Sequence, residues 1–302
     1  MGLSRTGVQR GRALSASASK AKQGSFGGVS NALSTIYGRR WLIGYFVQRE
    51  LSKSYRGSFL GFAWAFLGPL VMISLYTLVF SKIVGLRFRE FEGNPQLNYG
   101  LYIYCGATPF AAFSESLTRS TNTIRRNATL VQKMIFPTEI LPLTTAFTAM
   151  ADKLFGLGVL TAVLGFLAYV LRWDGYALHW TLVLLPVLVV LQLIFITGLS
   201  YIFSVVGAYL PDTRETLRSF VRAMFFLTPI IWPISRVEGT KFEWVVAYNP
   251  MAYVVEAYRD LIINGRVPDI TDTLWFALLS VVLLVLGLML FHRVKKQFAD
   301  LI

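Results

Sequence analysis

Thirty-seven consecutive residues, Gly175 to Pro211, contain no Lys, Arg, Asp or Glu. A helix crosses a bilayer with about 20 apolar residues at ~1.5 Å rise each, so this run alone points the chain into a membrane. Further uncharged runs lie at Gly57 to Ser81, Gly93 to Ser114, Leu154 to Leu171 and Thr273 to His292, and the third extends back to Ile140 across Asp152 and Lys153 only. Five spans follow, at about 61–83, 99–118, 140–171, 181–209 and 273–292. A sixth is expected at 215–234. Its apolar part is short, but Arg214, Arg218 and Arg222 recur every four residues on one helical face and can snorkel to the interface. Residues 244–255 are too short to span and read as a re-entrant or interfacial segment. Charged residues make up 15% of the chain, against about 25% in soluble domains.

The charges give the orientation. With six spans and the N-terminus inside, the cytoplasmic segments 1–60, 119–139, 210–222 and 293–302 hold 20 Lys and Arg. The external segments 82–98, 172–180 and 235–272 hold 8, with nine Asp and Glu. That is the positive-inside pattern. A seventh span would place Arg293, Lys295 and Lys296 outside. Both termini are therefore expected in the cytoplasm, and the net charge of +13 needs no nucleic-acid partner. One cysteine excludes a disulfide scaffold. Cys105, His179 and His292 do not make a structural zinc site without carboxylates.

Residues 1–30 are rich in Gly, Ser, Ala and basic residues, the composition of a disordered tail. They lack the apolar core of a signal peptide. Arg39-Arg40 does not open a twin-arginine signal, since Gln48, Arg49, Glu50 and Lys53 interrupt the apolar stretch. Residues 36–56 read as an interfacial helix. Trp41, Leu42, Tyr45 and Phe46 form an apolar face, and Arg49, Lys53 and Arg56 form a basic edge. That edge serves either as a topological anchor or in recognition of an anionic lipid head, for which Arg is suited.

A search for catalytic motifs returns absences. There is no P-loop, no H-E-x-x-H and no G-x-S-x-G. His179 and His292 sit at span ends without carboxylate partners. Asp152 and Lys153 are costly inside a span. Adjacent helix residues do not face each other, so the two are not simply a pair. They face a lumen or another subunit, or the helix tilts them toward the cytoplasm.

The loop RSTNTIRRNATLVQKMIFP (119–137) is basic and then briefly amphipathic, a pattern that calls for a protein partner or the membrane surface. Aromatic residues reach 15% and cluster near span ends, as in interfacial belts. Ser74, Thr77 and Ser81, and Ser200, Tyr201 and Ser204, form polar stripes that suit either helix packing or a polar passage.

The run RELSKSYRGSFLGFAWAFLGPL (49–70) resembles the interfacial helix and first span of permease subunits from ABC-type polysaccharide exporters, the type-2 ABC permeases. YGLYIYCGATPFAAFSESLTRSTNTIRRNATLVQKMIFPTEILPL (99–143) is similar to their second span and first coupling helix. YNPMAYVVEAYRDLI (248–262), following FFLTPIIWP (225–233), resembles their external gate. The likeness covers roughly residues 36–295, and the basic tail departs from it.

The resemblance implies an all-α integral membrane protein of the inner membrane of a bacterium. It carries six spans, an amphipathic interfacial helix and two short re-entrant gate helices within 240–263, between the fifth and sixth spans. Residues 31–302 form one transmembrane domain. The permease works as a homodimer with a separate ABC ATPase dimer that carries ATP and Mg, so this chain needs no cofactor and is not an enzyme. The substrate class is a polysaccharide on undecaprenyl pyrophosphate, with O-antigen preferred over capsule or teichoic acid. Arg49, Lys53 and Arg56 are nominated for the pyrophosphate. Trp64, Ser74, Thr77, Tyr102, Phe110, Phe113, Phe225 and Trp232 are nominated for the glycan lumen, where rings and hydroxyls give weak repeated contacts. Asn127, Leu130, Val131, Lys133, Met134, Ile135 and Phe136 form the coupling segment, and Tyr248, Pro250, Tyr253 and Tyr258 the gate. The competing classes are an ion-coupled carrier, which calls for internal repeats and intramembrane carboxylates, and an enzyme acting on lipid-linked sugars, which calls for convergent acids or histidines.

Overall fold

The computed structural model describes residues 34, 36–55, 59–85, 95–132, 136–173, 175–237 and 239–301. All regular structure among these residues is helical. A helix α1 (Arg40–Tyr55), with Ile43 and Phe46 buried but Trp41 and Tyr45 of the expected apolar face exposed, precedes α2 (Trp64–Tyr76), which a 3-10 turn extends backward and a π turn extends forward to make one apolar rod, Gly61–Ile83. Next come α3 (Pro95–Ser120), two short helices α4 (Thr123–Arg126) and α5 (Ala128–Val131), then α6 (Ile140–Gly165). After α7 (Leu185–Tyr209) and α8 (Thr213–Leu227) follow α9 (Glu243–Ala247), α10 (Pro250–Arg259), α11 (Ile270–Val294) and α12 (Phe298–Leu301).

Four rods are long and apolar enough to cross a membrane: Gly61–Ile83, Ile140–Val170, Trp180–Tyr209 and Ile270–Val294. They fall within a few residues of the uncharged runs. The expected second span lies within α3, which is longer than the expected 99–118. The expected fifth corresponds to α8, which stops at Leu227 rather than reaching 234. Thr228 is extended there, and the following Pro229 disfavours a helical residue before it and has no N–H to donate.

α3 lies at the centre, touching α2, α6, α7, α8 and α10. Its Ser116 hydroxyl is 2.8 Å from that of Ser200 on α7. The most extensive packing is α7 on α11. Gly198 and Gly287 meet at that crossing, where a Cβ on Gly198 would strike the Leu283–Leu284 backbone and one on Gly287 the Gly198 carbonyl. Small residues that let backbones approach are the membrane route to tight helix association, since lipid removes the hydrophobic drive between helices. α2 is the least covered rod, with 11% of its apolar window buried against 28–33% in the other three.

Local signals set the ends. The Asn249 side chain accepts from the Met251 N–H (3.0 Å) and Pro250 takes the first helical position, a pairing of N-cap and N1 proline that starts α10. Asp269 caps α11 through the Thr271 N–H at 2.7 Å. Gly265, with φ +64°, ends the turn after α10 in the left-handed conformation that glycine adopts without strain.

Candidate functional site

α1, α3, α4 and α6 line a small cleft of ≈ 40 Å³ whose walls include Phe46, Arg49, Glu50, Arg119, Arg126 and Leu141. Its centre is Glu50. Lys53 Nζ lies 2.9 Å from one carboxylate oxygen and Arg49 3.6 Å from the same one, while Arg126 Nη2 lies 3.0 Å from the other. Burial works against ionisation of Glu50. The Lys53 hydrogen bond and the charges of Arg126, Lys53 and Arg49 outweigh it and hold the carboxyl below its ordinary value. Arg49 lies against the Phe46 ring, its Cζ 4.4 Å from the centroid. Its buried Nε has no hydrogen-bond partner among the described residues. Of the nominated headgroup residues, the structure brings Arg49 and Lys53 together, and Arg56 lies outside the described residues. Arg119 and Arg126 come from a different stretch of chain, which is why the α1 pattern alone missed them.

An ion network runs deeper from the same wall. Arg119 is 2.7 Å from Glu115, Glu115 is 3.0 Å from Lys153, and Lys153 is 2.6 Å from Asp152. The sequence reading sets Asp152 and Lys153 apart as adjacent residues, yet they bond directly. The long lysine side chain reaches back over its own turn and toward Glu115 at the same time.

Asn127, the first of the residues nominated for coupling, lines the cleft. Val131 is buried with Ile124, Ile140, Phe291 and Phe298. Phe136 meets Phe46 of α1 edge-on at 5.8 Å. Asn127 Nδ2 donates to the Thr123 carbonyl at 2.8 Å, and Leu130 is half-buried. Lys133, Met134 and Ile135 lie outside the described residues. Glu139, just after the segment, is buried, pairs with Lys295, and has its backbone carbonyl bonded by the Tyr201 hydroxyl (2.8 Å). The C-terminal end of the segment is therefore fastened twice, through Phe136 to α1 and through the adjoining Glu139 to α7 and the C-terminal turn.

The lumen nominees do not converge on one surface of the protomer. Trp64 and Ser74 are exposed on α2. Thr77 donates its hydroxyl to the Ile73 carbonyl (2.8 Å). Tyr102, Phe110 and Phe113 are packed inside. The Phe110 ring is 5.7 Å from Phe113 and 5.5 Å from Phe225. Trp232 is half-buried and donates to the Phe226 carbonyl at 3.0 Å.

The external nominees divide. Tyr248 is exposed. Pro250 and Tyr253 are half-buried. Tyr258 is buried and donates to Gln192, which in turn donates to the Pro109 carbonyl, each at 2.8 Å. Sequence reasoning passed over Arg259, which is fully buried among backbone carbonyls. A lone arginine three residues after Glu256 in an apolar helix was the available signal.

Residues 42–263 match the family model described as ABC-2 type transporter. The chain is 30% identical over 266 residues to the O-antigen export system permease protein RfbA of Myxococcus xanthus, covering 88% of this chain and 96% of that protein. It is 27% identical over 255 residues to the protein of the same name from Klebsiella pneumoniae, covering 84% and 92%. It is 24% identical over 250 residues to the polysialic acid transport protein KpsM of Escherichia coli, covering 82% and 91%. A family match over most of the chain, relatives aligned nearly end to end and four apolar rods agree: this multi-pass membrane protein belongs to the ABC-2 type transporter family.

Proposed function

We propose that the chain is the permease subunit of an ATP-driven exporter that moves a lipid-linked cell-surface polysaccharide, O-antigen before capsule, out of the cytoplasm. The near full-length alignment with O-antigen export permeases carries this reading. In it, α3 and α8 complete six spans, both termini lie in the cytoplasm, and residues 31–302 form one domain in the inner membrane. ATP and Mg belong to a separate ATPase dimer. Two protomers enclose the lumen, and α9 and α10 close its outer end.

The geometry supports roles for the nominated residues. A basic cleft beside an interfacial helix suits a pyrophosphate, because Arg presents a fork that matches phosphate oxygens. Arg49, Lys53 and Arg126 are held there by one carboxylate that an incoming anion can displace. Asn127 lines this cleft and Phe136 packs on α1, so a push from the ATPase on the coupling segment reaches α1 and α6 and shifts them as packed bodies. Of the lumen nominees, Trp64, Ser74, Thr77, Phe225 and Trp232 reach the protomer surface. Capsule export is the second reading, favoured by the two polysialic acid transport relatives.

The test is co-expression with the neighbouring P-loop ATPase, purification through the permease, and ATP hydrolysis in lipid. A stable complex whose turnover falls when 130–136 is scrambled is expected. Failure to co-purify with any P-loop protein removes the energy source and promotes an ion-coupled carrier.

A further inference from the structure

Arg259 is 0% exposed, and a cation removed from water needs acceptors in place of solvent. Its guanidinium donates to the carbonyls of Pro229 (2.5 Å) and Ile230 (2.7 Å) and to the Glu256 carboxylate (2.7 Å). Nε and Nη2 each lie 3.4 Å from the Tyr102 carbonyl, and Cζ sits 3.5 Å from the centre of the Tyr102 ring. Gly106, one turn further along α3, leaves room for it, since a Cβ there would come within 2.7 Å of Nη2. Three segments distant in sequence thus end on one guanidinium: α3, the turn after α8, and α10.

The same helix is tied on its other sides. Tyr258 reaches Gln192 on α7, Tyr253 donates to Thr273 on α11 (2.8 Å), and Thr181 ahead of α7 donates to the Leu261 carbonyl (2.7 Å). The neighbouring helix α9 has no buried residue. Its stretch runs from Gly239, with φ +72°, to Asn249, and Trp244 and Tyr248 are 62% and 85% exposed.

We infer that Arg259 is a positioning residue that makes α10, the turn Thr228–Ile230 and α3 one rigid block, so that the outer end opens by displacement of the α9 stretch while α10 stays in place. This rests on the export reading. The physical ground is that moving α10 off α3 strips a buried cation of its carbonyls and leaves those carbonyls bare in a medium without water. α9 has no such tie. Lysine does not replace arginine here, because one ammonium does not span acceptors spread over three segments.

The experiment uses the full chain with its ATPase in lipid nanodiscs, where both faces meet the reagent and sidedness does not enter. Maleimide labelling rates are compared for A257C on α10 and W244C on α9, at rest and during ATP turnover; native Cys105 is buried. The W244C rate is expected to change several-fold with turnover while A257C stays protected, and adding R259K is expected to raise A257C labelling at rest by about tenfold. An A257C thiol that becomes reactive in turnover with Arg259 intact overturns the inference, as does a W244C rate that turnover leaves unchanged. So does R259K leaving A257C as protected as before. If R259K does not assemble, the comparison with Arg259 intact decides. If no ATPase co-purifies, the export reading falls separately, and the resting comparison still judges Arg259.

Discussion

Glu50 concentrates the electrostatics of the α1 cleft in one residue. Its folded carboxyl titrates below the ordinary value of 4.5, so its ion pairs add stability above that value and lose it as pH falls through the lower folded value. E50Q is expected to lower the melting point slightly at neutral pH, by ~0.2–1 kcal/mol as for other partly exposed pairs. The difference from the parent is expected to close in acid below pH 4.5, read by a melting series over pH. The same substitution frees three cations, so pyrophosphate is expected to protect E50Q against heat more strongly than it protects the parent. Replacing Arg49 and Arg126 together by alanine is expected to abolish that protection while the complex still assembles. Protection that survives both changes moves the headgroup site elsewhere. These pairs were half legible in the sequence. The α1 pattern announces Arg49 and Lys53, but Arg126 joins them across 76 positions, and no local periodicity records that.

At the scale of elements, the uncharged runs placed the apolar rods closely, because span length is a one-dimensional property of the chain. What they did not show is how the rods meet. The acceptors of Arg259 are carbonyls of Pro229, Ile230 and Tyr102, and a carbonyl leaves no mark in residue type. The end of α8 was overrun for a related reason: FFLTPIIWP is apolar throughout, and apolarity outlasts the helix. The α7–α11 crossing yields its own prediction. Gly198→Ala puts a methyl against the Leu283–Leu284 backbone, which has no flexible side chain to yield, and overpacking of this kind costs about 1–3 kcal/mol. A lower melting point and a smaller monodisperse peak on size exclusion are expected. Gly158 has open space around its Cβ position, so Gly158→Ala serves as the control and is expected to leave both unchanged.

Considered whole, the protomer is asymmetric in its cover. α3 is surrounded, whereas α2 presents Phe66, Leu70, Val71 and Leu75 to the outside. A soluble protein does not leave such a face bare; lipid or a second protomer covers it here. The all-helical membrane class and the family were readable from run lengths and three ordered motifs. The lumen was not, because it is proposed to lie between two copies, and side chains nominated by chemistry alone, such as Phe110 and Phe113, turned out to hold the interior together.

The early end of α8 has a consequence for the bilayer itself. Fifteen residues rise ~22 Å at ~1.5 Å each, well short of a hydrocarbon layer of about 30 Å. Crossing as proposed beside longer neighbours, this helix imposes hydrophobic mismatch on one flank only, and lipid thins there to meet it. On the export reading, a polar chain that passes beside α8 has less oil to cross. Transport-coupled ATP turnover is therefore expected to fall as acyl chains are lengthened in reconstituted vesicles, and to fall less in a chain whose α8 has been extended by one apolar turn.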